Sequence, residues 1–289
     1  MILITGATGN YGTLTIEALL EKGVSPKEII ALVRVITKAA TLKEKGVHIR
    51  EANYDDYQSL QKAFTGVEKL LFVSGNDVEN RMSQHENVVK ASAEAGVQHI
   101  LYTSIARKSE EEDTPLAMVA ASHFATEELI KKSGVPYSIL RNNLYEDVLP
   151  GFLGEKVLET GVFFPAGEGK ASFALRADMA EATAQLLQTQ EPLKQEYFFS
   201  NSEAVSFRDI AVLLTEVTGK EIAYLNPDVT TYKEALTTAG VPAIYIDMFI
   251  SFAEGIKQGE LEAASSDLPE LLGRTPVSVA TYIQQVYGK

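Results

Sequence analysis

The stretch MILITGATGNYG, residues 1–12, decides the fold, because a short apolar strand runs directly into three glycines and then into a helical pattern. Gly6 lets the chain turn sharply, Gly9 lets the backbone approach a pyrophosphate, and Gly12 lets the next helix pack closely on the sheet. The start of that helix offers unpaired N–H groups and a partial positive charge to phosphates. The turn therefore predicts a dinucleotide site, although such glycines can also serve only to build a tight strand-to-helix turn. The turn residues that we assign to the site are Gly6, Ala7, Thr8, Gly9, Asn10, Tyr11 and Gly12.

Apolar strand patterns alternate with helical patterns through the first half of the chain. This alternation is typical of βαβ units, and it predicts an α/β fold with a Rossmann-type doubly wound parallel sheet. The predicted strands are 2–5, 28–33, 48–51, 69–73, 99–103 and 137–140. The predicted helices are 11–22, 37–45, 57–64, 80–95 and 117–133, and each of them ends at or just before a glycine.

The pattern becomes less regular after about residue 145, which predicts two units. Residues 1–145 form the NAD(P)-binding domain, and residues 146–289 form a smaller, mixed C-terminal lobe that binds the substrate. Within the lobe a helix is predicted over 178–188. The strand at 195–200 is expected to return to the main sheet.

Composition and charge exclude several classes of function. The chain has 289 residues, no cysteine and a formal net charge of -13, which disfavours nucleic acid and anionic membrane surfaces as partners. The absence of cysteine removes thiolate catalysis and Cys-ligated zinc, and we expect no metal site. With neither an export signal nor a membrane-spanning stretch, we expect a cytoplasmic monomer or homodimer.

The residue after the second strand indicates which dinucleotide is bound. An acidic side chain there would bind the ribose hydroxyls, whereas Arg34 can clamp a 2′-phosphate, so NADPH is expected and NADH is less favoured. Arg34 could also be an ordinary solvated surface residue. Asn53 and Tyr54 follow the third strand, and we expect them to form part of the wall of the adenine pocket, which lies there in this fold.

Small polar residues follow the fourth and fifth predicted strands, at the edge where open α/β sheets bind ligands. We expect them either to line the cofactor trough or simply to start loops. These residues are Ser74, Gly75, Thr103 and Ser104.

Several segments together resemble the NmrA-like atypical short-chain dehydrogenases, and most closely the branch that reduces quinones and triphenylmethane dyes with NADPH. The segments are TGATGNYG, ALVR, LLFVSG, VVKASAEAGVQHILYTS, HFATEELIKKSGVPYSILRNNLY and SFALRADMAEA. The resemblance implies an NADPH-dependent reductase, and it covers nearly the whole chain.

The chain departs from ordinary short-chain dehydrogenases at their catalytic Tyr-x-x-x-Lys motif. His123 stands where the tyrosine would fall, and Glu127 stands four residues later, where the lysine would be. A carbonyl reductase needs that proton donor, whereas a quinone or a cationic dye can accept hydride without it. His123 could orient or protonate a quinone oxygen, or it could be a helix-face histidine bonded to Glu127.

The resemblance also places nicotinamide and substrate contacts just after the sixth strand. It implies Arg141 and Asn142 as cofactor contacts, and Asn143 and Tyr145 as pocket residues that join His123 in the catalytic set. Arg141 could instead form an ion pair with a nearby carboxylate.

An aromatic cluster in the lobe has two possible roles. Phe163, Phe164 and Phe173 could form one wall of a site for a planar substrate, or they could be lobe core. Asp178, near the start of the helix predicted to follow them, is interpreted as a helix cap or a first-turn acid.

Two functions are consistent with these residues. The first is an NADPH-dependent reductase that delivers hydride directly to a quinone or similar planar acceptor. The alternative is a catalytically inactive NADP(H)-binding redox sensor that regulates a protein partner. An epimerase or a ketone reductase is disfavoured, because both need the missing tyrosine and lysine.

Overall fold

The computed structural model describes residues 1–75, 77, 79–109 and 114–288. Within these ranges the strands are β1 (Ile2–Ile4), β2 (Ile29–Val33), β3 (His48–Glu51), β4 (Lys69–Phe72), β5 (His99–Ile105), β6 (Tyr137–Asn142), β7 (Val162–Phe163), β8 (Lys170–Ala171), β9 (Glu196–Phe199), β10 (Val205–Ser206) and β11 (Tyr224–Leu225).

The α-helices cover both faces of the main sheet and build most of the C-terminal lobe. They are α1 (Asn10–Glu21), α2 (Ala40–Glu44), α3 (Tyr57–Ala63), α4 (Arg81–Glu94), α5 (Ala117–Lys132), α6 (Leu149–Leu153), α7 (Val157–Thr160), α8 (Arg176–Gln188), α9 (Phe207–Thr218), α10 (Val229–Thr238), α11 (Ala243–Lys257), α12 (Leu268–Leu272) and α13 (Val279–Tyr287).

The main sheet has seven strands in the order β3-β2-β1-β4-β5-β6-β9. Every neighbouring pair is parallel, which confirms the predicted Rossmann-type sheet. The strand order reverses direction between β1 and β4, and ligands of such sheets bind in the crevice at the carboxyl ends beside that point.

Successive side chains of each strand point to opposite faces of the sheet, and they contribute to two separate apolar layers. In β1, Leu3 faces the layer under α3, α4 and α5, whereas Ile4 faces the layer under α1 and α8. Both side chains are fully buried. Because both faces are covered, the central strands read as continuous apolar runs in the sequence.

The C-terminal lobe has its own apolar core. Phe164 stacks on Phe207 with ring centroids 4.2 Å apart, and Tyr232 packs edge-on against Phe164. Two small sheets frame this core, an antiparallel pair of β8 and β10 and a parallel pair of β7 and β11. Since β9 pairs with β6, the lobe is continuous with the main sheet.

Most predicted elements are observed, with shifts of one or two residues at their ends. The glycines at the predicted helix ends, Gly23, Gly46, Gly66, Gly96 and Gly134, all have φ between 74° and 85°. One prediction needs correction, because residues 37–45 do not form a single α-helix: a 3-10 turn over Ile36–Ala39 precedes the short α2. Across the described ranges, no helix is long and apolar enough to cross a membrane.

Candidate dinucleotide and acceptor site

The glycine turn is built so that α1 rests directly on it. Gly6 has a φ of +58°, and its carbonyl accepts the Gly9 N–H at 2.9 Å. A Cβ placed on Gly12 would lie 2.4 Å from the Gly6 oxygen and 2.9 Å from the Ala7 Cα. Any side chain at Gly12 would therefore push the helix away from the turn.

The amino end of α1 is open to an anion. Gly9 is the N-cap and supplies no side-chain cap, and the first turn contains no acidic residue. The first N–H groups of a helix have no intrahelical partner, and they carry the positive end of the helix dipole. Together with the close fit of Gly12, this geometry suits the pyrophosphate of a dinucleotide.

The side chains of the turn point in two directions. Thr8 and Asn10 are exposed beside the open helix end, whereas Ala7 is fully buried. Tyr11 is also buried, and its hydroxyl lies 2.8 Å from Thr183 Oγ1 on α8. Ala7 and Tyr11 can therefore offer only backbone groups to a ligand, while their side chains anchor the turn to the core.

Arg34 and Tyr54 follow the neighbouring strands β2 and β3. Arg34 is exposed directly after β2, and its positive charge acts on the Tyr54 phenol. Burial raises the pKa of Tyr54, and the Arg34 charge opposes that rise. Asn53 has a local role in this region, because its backbone N–H donates to Ser59 Oγ at 3.1 Å at the start of α3.

The segment after β4 is held by three side chains. The Val73 N–H donates to Thr5 Oγ1 at 2.9 Å, and the Ser74 N–H donates to Thr103 Oγ1 at 2.9 Å. The Gly75 N–H donates to His85 Nε2 at 3.1 Å. Each of these contacts comes from a different element, so the rim of the trough beside the glycine turn is firmly positioned.

Thr103 and Ser104 do not start a loop, because β5 continues to Ile105. Both residues are buried within the strand. The Thr103 hydroxyl is bonded to the Ser74 N–H, and Ser104 Oγ donates to the Glu127 carboxylate. Through these contacts Thr103 and Ser104 hold the segment after β4 and helix α5 in place. Direct contact of either residue with a cofactor stays a prediction.

His123 lies on α5 and contacts a residue that the sequence analysis did not name. Its Nδ1 is 3.0 Å from the Tyr102 hydroxyl, and Tyr102 is fully buried in β5. Burial lowers the pKa of His123 to about 3, and the cationic Arg81, Arg107 and Arg141 add to this shift. His123 is therefore neutral at physiological pH.

The alternative pairing of His123 with Glu127 is wrong. Glu127 is fully buried, and its carboxylate is bound by Arg107 at 3.0 and 2.9 Å and by Arg141 at 3.3 Å. Arg141 also pairs with Glu196 at 2.9 Å. The carboxylate that stands in place of the dehydrogenase lysine thus ties α5 to the ends of β5 and β6.

The residues after β6 differ in what they offer to a substrate. Asn143 is buried, and its amide donates to the Leu261 carbonyl at 3.0 Å, so it connects the sheet to the lobe. Asn142 is also buried, and it donates to the Tyr145 hydroxyl at 3.2 Å. Tyr145 is partly exposed, with its ring 6.3 Å from that of Tyr11 and with Arg176 over one face. Tyr145 is thus the residue of this group that faces the glycine turn.

The aromatic cluster of the lobe is core. Phe164 and Phe173 are fully buried, and Phe163 packs against the same apolar cluster. The expectation of an aromatic wall is therefore not met by Phe164 or Phe173. Asp178 is buried near the start of α8, where it accepts the Val277 N–H at 2.6 Å and pairs with Arg274 at 2.8 Å.

Sequence reasoning missed His85, Tyr102 and Arg81. The alternation of β5 could have indicated that Tyr102 faces α5, since Leu101 and Thr103 must face the other layer. Nothing in the spacing of α4 and α5 would have paired His85 with Thr126, although the structure places His85 Nδ1 2.7 Å from its hydroxyl. In the described part of the chain, no group of three or more His, Asp or Glu residues could hold a metal ion.

The parallel sheet and the glycine turn at its switch point define a Rossmann-type dinucleotide-binding protein. A sequence profile of the NmrA-like family matches residues 1–283. The chain belongs to the NmrA-like family.

Relatives of this chain match it from end to end. Quinone oxidoreductase 2 of Escherichia coli is 35% identical over 100% of this chain and 99% of its own. The triphenylmethane reductase of Citrobacter sp. complexed with NADP(H) is 37% identical, covers 99% of both chains and has a TM-score of 0.90. The Escherichia coli NADPH-dependent quinone oxidoreductase complexed with NADPH is 34% identical over 100% of both chains, with a TM-score of 0.91.

Proposed function

We propose that this protein is an NADPH-dependent reductase that transfers hydride directly to a quinone or a similar planar acceptor. Full-length likeness to quinone oxidoreductase 2 and to triphenylmethane reductase makes the chain an NAD(P)H-dependent reductase. Beyond that class of enzyme, we propose that the acceptor is a quinone or a similar planar molecule and that the reaction proceeds without a Tyr-x-x-x-Lys proton donor. In this proposal, residues 1–145 bind the cofactor and supply His123 and Tyr145 to the acceptor, and residues 146–289 form the smaller substrate-binding lobe.

The observation that carries the cofactor assignment is the open amino end of α1 on a turn where Gly12 has no room for a side chain. Arg34 adds the preference for NADPH. It is exposed after β2, and the described residues provide no carboxylate within ion-pair distance of it. Its guanidinium is therefore free to clamp a 2′-phosphate.

The acceptor assignment rests on the residues that replace the missing motif. His123 is neutral, and Glu127 is fully engaged with Arg107 and Arg141, so neither can act as the tyrosine and lysine do. A ketone would need a proton donor at its oxygen, whereas a quinone becomes a stable phenolate that water can protonate. The relatives named for quinone and for triphenylmethane reduction act on conjugated acceptors.

Reduced nicotinamide supplies a hydride, which is two electrons and one proton. Hydride transfer would break a C–H bond of the reduced nicotinamide and deliver its hydrogen and electron pair to the quinone. The net products would be oxidised nicotinamide and a hydroquinone monoanion, whose negatively charged oxygen takes a proton from solvent. The protein holds the reactants together and keeps water out of the contact between them. Tyr145 beside the turn and His123 on α5 are the side chains that we place against the acceptor.

The test is the rate of NADPH oxidation, followed by absorbance with a panel of benzoquinones and naphthoquinones. We expect acceleration by at least one quinone. Tight NADPH binding without acceleration by any acceptor would overturn the proposal and favour the redox-sensor alternative. A panel that includes a cationic triphenylmethane dye separates quinone specificity from general hydride transfer to planar acceptors.

A further inference from the structure

We propose that Tyr102 fixes the tautomer of His123, so that His123 presents an uncharged Nε2–H donor to the oxygen of the acceptor. Tyr102 is then a positioning residue, and His123 is the group that touches the acceptor. The kinetic part of this inference rests on the proposed function, whereas the tautomer itself does not.

The first step concerns the phenol. Tyr102 is fully buried, and a buried hydroxyl that does not donate a hydrogen bond is costly. The Tyr102 hydroxyl lies 3.0 Å from His123 Nδ1, and the hydroxyls of Ser74 and Thr126 also act on it through hydrogen bonds that lower its pKa. Burial also raises the pKa of Tyr102 to about 12, so the phenol keeps its proton. In the proposed arrangement the phenol donates its proton to Nδ1, so the ring proton of His123 is on Nε2.

The second step concerns the other side of the ring. Among the described residues, no group forms a hydrogen bond with His123 Nε2. This atom is also not enclosed by the protein. Since His123 is partly exposed, its Nε2–H faces solvent. A donor that is held on one side and open on the other is suited to meet a ligand oxygen.

His85 shows that the arrangement at His123 is particular to that residue. His85 Nε2 accepts the Gly75 N–H, so its proton is on Nδ1, which donates to Thr126 Oγ1 at 2.7 Å. The Thr126 hydroxyl in turn donates to the Ser122 carbonyl at 2.7 Å. His85 is fully buried and uses both nitrogens internally. The two histidines thus have opposite tautomers, and His123 is the one with a free donor.

The charges around His123 keep it neutral. Arg81 and His85 face it from α4, Arg107 from the segment after β5, and Arg141 from β6. Burial lowers its pKa to about 3, and these groups add to the shift. Glu127, on the same helix, is neutralised by Arg107 and Arg141. The Nε2–H therefore remains a hydrogen-bond donor over the whole physiological range and does not transfer its proton.

This donor acts only where negative charge develops on oxygen. A fixed dipole aimed at a developing oxyanion stabilises the transition state, because it needs no reorganisation during the reaction. A quinone accepts the hydride's electron pair onto a carbonyl oxygen, which the Nε2–H can stabilise. A cationic triphenylmethane dye accepts hydride at carbon, so the same donor has nothing to stabilise.

The direct test is ¹⁵N NMR of the histidine side chains in the protein without ligand. We expect His123 to show a protonated Nε2 and an unprotonated, hydrogen-bonded Nδ1, with His85 showing the reverse. In Tyr102→Phe the His123 Nδ1 signal should lose its hydrogen-bond shift. A protonated Nδ1 on His123 in the unsubstituted protein would overturn the proposal, whether or not any quinone is reduced.

The kinetic test compares quinone and dye turnover. Tyr102→Phe should lower kcat for quinone about tenfold, which is the value of one hydrogen bond, and leave the KM for NADPH unchanged. His123→Leu should lower it about a hundredfold, and His123→Gln, which keeps a donor, should recover part of the loss. Tyr197→Phe, which removes another buried strand hydroxyl, is the matched control and should leave both rates unchanged.

The outcomes of the two tests are distinguishable. Equal losses of quinone and dye turnover in Tyr102→Phe would mean that Tyr102 has only a structural role, which overturns its part in the reaction. If the unsubstituted enzyme reduces no quinone, the proposed function fails, and the tautomer is then judged by NMR alone.

Discussion

The glycine turn at residues 5–12 and the histidine corner, formed by His85, Tyr102 and His123, lie at the same edge of the sheet but are built differently. The turn consists of backbone, and its shape depends on a missing side chain at Gly12. The histidine corner consists of side chains from β5, α4 and α5. Tyr102 bonds to His123, 21 residues away, and His85 bonds to Thr126, 41 residues away. A site made of backbone can be recognised from consecutive residues of the sequence. A site made of side chains from distant elements can be recognised only in the folded structure.

The largest effect is expected from a side chain at Gly12. Gly12→Ala places a Cβ 2.4 Å from the Gly6 carbonyl oxygen, so α1 must move away from the turn. We expect the affinity for NADPH to fall by about a hundredfold or more, since the phosphate contacts depend on that fit. Fluorescence titration with NADPH measures the affinity, and circular dichroism checks that the fold is retained.

The control for Gly12 is Gly151→Ala. Gly151 also lies within a helix, but a Cβ there would meet nothing within 4 Å. The Gly151→Ala variant should therefore bind NADPH with the same affinity as the unsubstituted protein. If Gly12→Ala binds NADPH normally as well, the turn is only a structural element, and the comparison between the two regions fails.

A smaller and more selective effect is expected at Arg34, the charged residue that extends the backbone site. Arg34→Asp replaces a phosphate partner by a carboxylate that repels a 2′-phosphate. We expect the KM for NADPH to rise about tenfold or more, with little change for NADH. Steady-state kinetics with both cofactors gives the ratio, and equal changes for the two would remove Arg34 from the phosphate site.

The same distinction explains how much could be predicted from the sequence. The sheet, the turn and the position of Arg34 follow local rules, namely strand alternation, glycine placement and strand ends. The partner of His123 could not be predicted, and an ion pair of Arg141 was expected only without its partner Glu127, because these side chains meet residues from other elements. Phe164 and Phe173 show the same limit, since the pattern did not distinguish a pocket wall from lobe core.

The smallest effect is a change in the pH dependence of stability at the histidine corner. Burial and the charge of Arg81 lower the pKa of His85 to about 3, below the value of about 6.5 expected in the unfolded chain. Because the unfolded state then binds the proton more readily, the stability that His85 contributes is present above pH 6.5 and is lost as the pH falls towards 3.

Replacing His85 should therefore flatten the acid limb of the stability curve. Between pH 6 and pH 4 we expect the unfolding free energy of His85→Gln to fall by about 2 kcal/mol less than that of the unsubstituted protein. His85→Leu should show the same flattening even though it loses the contact with Gly75, because the titrating ring and not the hydrogen bond causes the slope. Urea unfolding at several pH values measures it. An unchanged slope in both variants would mean that His85 takes up its proton in the folded state as readily as in the unfolded chain, which a ring that accepts the Gly75 N–H at Nε2 could not do.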